Sequence, residues 1–95
     1  MTAQQYRKKP VTVEAMGPLT PENRDEIAAW CGGKAEERMV PGPGRGLVKS
    51  VLIHTMEGTM RAGDGWYVIR GVKGEFYPCR GDIFEQTYEA VEEDR

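Results

Sequence analysis

Ser50, the single serine, His54, the single histidine, and the cysteines Cys31 and Cys79 are the first places to look for chemistry in this 95-residue sequence. Nucleophilic catalysis needs Ser or Cys beside a base, and acid–base catalysis needs a histidine or carboxylate beside a second reacting group. His54 stands within an apolar run, where a structural imidazole is expected; a thiol–imidazole pair with Cys79 is the alternative. The three soft ligands lie singly, with no CxxC or HxxxH spacing to gather a metal. Packing is therefore the expected role of Cys31, His54 and Cys79. Both thiols read as free, because domains that depend on disulfides are richer in cysteine. No catalytic apparatus, metal or cofactor is expected.

A binding site has more to draw on. Trp66, Arg70, Lys73, Tyr77, Arg80 and Asp82 lie on or near one hairpin. Arg offers a bidentate fork to an anion, Trp and Tyr offer stacking planes, and Trp66 shares a strand face with Arg70 in an alternating strand. Together they suit a protein partner or an anionic, nucleotide-like ligand. The plainer reading is a solvated hairpin whose charges guard a sheet edge. The glycine-rich stretch Pro41-Gly42-Pro43-Gly44-Arg45-Gly46 invites comparison with a phosphate cradle. Such cradles present successive backbone N–H groups, which Pro41 and Pro43 lack, and no GK[ST] ending follows. A flexible connection is expected there. Arg7-Lys8-Lys9-Pro10 is a short basic run that reads as a solvated lead-in to a strand.

These residues must be positioned by few elements. Val11, Val13 and Ala15 alternate with polar neighbours as in a half-buried strand. One helix is expected from Pro21 to Cys31, with Thr20 as cap, Pro21 in the first position and a stop at Gly32-Gly33. Ile27, Ala28, Trp30 and Cys31 form its apolar stripe, which makes Trp30 a core anchor. Lys34 to Val40 suits an edge strand, and Leu47 to Thr55 a long strand covered on both faces at its middle. Thr59 to Ala62, Trp66 to Val72 and Glu75 to Cys79 follow as a meander, the last two joined by a two-residue turn at Lys73-Gly74. Asp82 is placed to cap a short helical turn that sets Phe84 and Tyr88 on one face and plugs one end of the sheet. The tail at Glu92-Glu93-Asp94-Arg95 should fray.

The expected architecture is one α+β domain: a small, curled, mostly antiparallel sheet of five or six strands with one packed helix and a C-terminal helical turn. A partly open barrel is an alternative closure of the same sheet. Ninety-five residues hold one core, and 12 glycines imply a thin one. A net charge of −2 gives no global attraction to nucleic-acid backbones. No apolar run approaches the roughly 20 residues that span a bilayer, and the opening Met1-Thr2-Ala3-Gln4-Gln5 has no apolar stretch of a secretion signal. Residence in the cytoplasm, away from membranes and non-specific nucleic acid, is the expectation.

Several stretches carry a resemblance. Tyr6-Arg7-Lys8-Lys9-Pro10-Val11-Thr12-Val13-Glu14-Ala15, Ala28-Ala29-Trp30-Cys31-Gly32-Gly33 and Ile69-Arg70-Gly71-Val72-Lys73-Gly74-Glu75-Phe76-Tyr77-Pro78-Cys79, with Asp82-Ile83-Phe84-Glu85 and Thr87-Tyr88-Glu89, resemble a family of small proteins of tailed bacteriophages and prophages, chiefly of actinobacteria. The likeness spans most of the chain outside 34–50. This chain departs from the family pattern in two turns: Ala62-Gly63-Asp64-Gly65-Trp66 stands where Pro-Gly-Asp directly precedes the aromatic residue, and Arg80-Gly81-Asp82 where Lys-Pro-Asp is common. The resemblance implies a phage setting and no particular activity. The expected function is that of a phage accessory protein that binds a host or phage protein in the infected cell's cytoplasm. Alternatives are a binder of an anionic small molecule, with its pocket at a homo-oligomer interface, and a minor virion component.

Overall fold

The computed structural model of the chain describes residues 2–7, 9–40, 42 and 46–91. Along these the order is β1 (Glu14–Met16), α1 (Arg24–Cys31), β2 (Lys34–Val40), β3 (Gly46–Thr55), β4 (Gly58–Ala62), β5 (Tyr67–Arg70), β6 (Phe76–Cys79) and α2 (Gly81–Thr87). The strands form two three-stranded antiparallel sheets, ordered β1-β5-β6 and β2-β3-β4. The single curled sheet expected from the sequence is therefore divided, and no closed barrel forms among the described residues. The reason lies between β4 and β5. Gly65 N–H donates to the Leu19 carbonyl and Leu19 N–H to that of Trp66, both at 2.8 Å. These bonds steer β5 onto β1 instead of continuing the meander from β4.

Local chemistry sets the helix start three residues later than expected. Thr20 N–H donates to Asn23 Oδ1 at 2.7 Å, and Asn23 N–H to Thr20 Oγ1 at 3.3 Å. This reciprocal bonding, akin to a capping box, holds Pro21-Glu22-Asn23 as a turn before α1. At the other end Gly32 adopts φ 66°, and Gly33 N–H closes on the Ala28 carbonyl at 2.9 Å. Such a left-handed stop favours glycine. Ile27, Ala28 and Cys31 face inward and join Leu19, Val51, Ile53, Ala62 and Val68 in the core. Trp30 is half-buried at its margin and meets Phe76 edge-on, with centroids 5.1 Å apart. That contact ties α1 to β6.

The strand expected over Val11–Ala15 begins only at Glu14. Its partner explains the loss: Glu14 pairs with Arg70, the last residue of β5, and the chain then turns away. The turn itself differs from the two-residue one expected. Gly74 N–H bonds the Gly71 carbonyl at 2.9 Å, Gly71 N–H bonds that of Glu75 at 2.7 Å, and Gly74 sits at φ 83°. This is a three-residue loop with a glycine bulge. Asp82 lies inside the first turn of α2 and does not cap it; Arg80 occupies the cap position, and its side chain does not bond the helix's free N–H groups. α2 seats Phe84 on Tyr67 at the start of β5, against a sheet face. His54 is exposed and bonds Thr59 Oγ1 at 3.3 Å, so its expected packing role is corrected. It lies near the end of β3, beyond the buried Ser50, Val51 and Ile53. The loop expected over 41–46 falls, at Pro41, Pro43, Gly44 and Arg45, outside the described residues, as do Lys8 and the acidic tail.

Candidate functional site

Register assigns each side chain of the β1-β5-β6 sheet to a face, because directly paired residues point the same way. Glu14, Arg70 and Phe76 share the inner face with Met16, Val68 and Pro78. Ala15, Ile69 and Tyr77, with Tyr67 and Cys79, share the outer face. The hairpin residues proposed as one site are consequently separated. Trp66 packs against the core from the inner side. Arg70, also inner, bonds Glu14 at 3.2 Å across the strands. Tyr77 faces the opposite way. Lys73 stands in the hairpin loop, where its backbone N–H donates to Glu75 Oε1 at 3.3 Å. Arg80 and Asp82 engage each other at 2.9 Å. Of the six, Tyr77 alone lines one of the two hollows described next.

The outer face carries a column of aromatic rings. Tyr67 and Phe84 stack at 3.9 Å between centroids with planes 7° apart, and Phe84 and Tyr88 follow at 5.0 Å and 25°. Phe84 and Tyr88 are four positions apart; Tyr88, the extended residue just after α2, donates its backbone N–H to the Phe84 carbonyl, which holds the two rings together. Tyr88 also shares a hydrogen bond with the Tyr77 phenol. Burial first, then that bond, then the nearby charges of Tyr88, Glu75 and Cys79 push the Tyr77 pKa up to about 12. The Cys79 thiol is likewise raised, by burial and then by Asp82. A raised thiol is the reverse of an activated thiolate, and His54 belongs to the other sheet, so the thiol–imidazole pair is not assembled.

Two adjoining hollows flank Tyr88. One of about 540 Å³ is lined by Lys9, Pro10, Val11, Val13, Gly71, Val72, Glu75, Tyr77, Thr87 and Tyr88. The other, about 740 Å³, runs from Pro10 to Val13 past Ala15, Tyr67 and Phe84 to Glu89, Ala90 and Val91. Both fall within the size of ordinary ligand pockets. Pro10, Val11, Val13, Thr87 and Tyr88 border both, so they form one groove between the N-terminal segment and the stretch after α2. Val11, Val72 and Val91 on its rim are 51%, 68% and 70% exposed. Sequence reasoning passed over this groove. The available signal was the pair Val11 and Val13 in a strand-like segment, together with Phe84 and Tyr88 four positions apart.

The groove offers apolar contact, aromatic planes and a cation at one end, which suits recognition. Among the described residues there is no group of three or more His, Cys, Asp and Glu able to hold a metal. No helix among them is long and apolar enough to cross a membrane. Comparison with protein-family models, curated protein sequences and solved structures finds no match to this chain.

Proposed function

We propose that this chain is an accessory protein of a tailed phage, which acts in the cytoplasm of the infected cell by binding a host or phage protein and not by catalysis. The phage setting rests on the motif resemblance alone. Binding is supported above all by the groove between the N-terminal segment and the stretch after α2, where Val11, Val72 and Val91 stand exposed beside the aromatic column. Exposed apolar side chains gathered along a groove gain stability when a partner covers them.

Native mass spectrometry of the full chain purified gently from its host tests the proposal. A co-purifying protein in defined stoichiometry is the expected result, and a clean monomer under these conditions overturns it. A second reading, an anionic small ligand, is favoured by Lys9 standing beside Tyr77 and Tyr88 in the smaller hollow. It predicts extra mass of small-molecule size that disappears on denaturation.

A further inference from the structure

The wall of the groove has an unusual backbone. From Lys9 to Val13 the chain forms no ladder and makes no backbone hydrogen bond among the described residues. The parity of the sheet extends this open edge to Ala15. Gly71 and Glu75 are hydrogen-bonded partners, so alternation makes Ile69 and Tyr67 bond β6 while Arg70 and Val68 bond β1. Glu14 and Met16 therefore pair inward, and the N–H and carbonyl of Ala15 point away from the sheet. In an extended chain the same holds for Val13 and Val11. Their side chains share the groove-facing side with Ala15, whose outer-face position is fixed by its register with Ile69.

Charge selects among occupants. Arg7 and Lys9 are exposed and have no ionic partner among the described residues. Lys9 lines the groove at the end near Val72 and Glu75, and the other end, near Ala15 and Val91, carries Glu89 and no cation among its lining residues. Glu75 at the cationic end already accepts the Lys73 N–H. A second copy pairing along this edge brings one acid from Lys9 to Met16, Glu14, which is held by Arg70.

We infer that the groove takes an extended peptide segment of a partner protein, apolar where it meets Val11, Val13 and Tyr88 and acidic where it meets Arg7 and Lys9, added as a strand along the edge from Val11 to Ala15. This rests on the protein-binding function proposed above and names its mode. Backbone pairing supplies register-independent affinity, alternate side chains enter the apolar hollows, and the two cations fix direction.

The test uses the full chain, labelled with ¹⁵N, and two synthetic peptides: acetyl-Asp-Asp-Val-Thr-Val-Thr-Val-amide and its Lys-Lys counterpart. The acidic peptide should slow amide exchange at Val11, Val13 and Ala15 about tenfold or more, and bind several-fold tighter than the basic one. Charge reversal in R7E/K9E should invert that preference, and Val13→Pro should abolish the protection. Equal binding of the two peptides, or shifts confined to other residues, overturns the inference. So does protection already present in the free chain, which would mean its own tail fills the slot, or protection that rises with protein concentration, which would mean a second copy does. A native partner whose complex is indifferent to Val13→Pro would leave the binding function standing and remove only this mode.

Discussion

Tyr77 illustrates how one side chain reports on its surroundings. A phenol raised to about 12 from an ordinary value near 10 binds its proton more tightly in the folded than in the unfolded chain. The stability it contributes is fully present below pH 10 and is lost as pH rises from 10 towards 12. Unfolding midpoints measured in urea across that range should fall with pH, and Tyr77→Phe should flatten the fall. Gly81 is constrained by contact: a Cβ there would run into the carbonyl oxygen of Gly65. Gly81→Ala should cost about 1–3 kcal/mol, read as a lower urea midpoint at unchanged slope. The 63–66 turn and the start of α2 thus meet in space at Gly65 and Gly81.

At the scale of elements, the fold hangs on α1. Ile27 is fully buried, and Ile27→Ala should destabilise by about 2–5 kcal/mol through lost transfer energy and the cavity left behind. The helix stripe, the edge strand over Lys34–Val40 and the long central strand β3 were legible in the sequence, because local periodicity and the glycine stop at Gly32 determine them. The division into two sheets was not. It depends on bonds between Leu19 and the 65–66 turn, more than forty residues apart, and no local pattern announces them. The same limit applies to the site. Trp66, Arg70 and Tyr77 read as neighbours along the chain, yet strand parity places Tyr77 on the other side of the sheet. The groove escaped notice because its two walls come from opposite ends of the sequence.

For the whole molecule, the thin core is the governing fact. The core draws on few fully buried side chains, among them Leu19, Ile27, Val51, Ile53, Val68 and Ile69, so intrinsic stability should be modest. Any partner that binds only the folded state adds stability by mass action, about 2.7 kcal/mol at a hundredfold excess over Kd. The sheet β1-β5-β6 also treats its two margins unequally. Pro78 pairs with Val68 in β6, at a position whose missing N–H faces away from β5. That outer margin thus lacks a donor a further strand would need, while the margin at Ala15 keeps its own. A strand laid along β6 would therefore meet one backbone position that cannot donate, so edge-to-edge growth of this sheet is favoured at the Ala15 margin over the β6 margin.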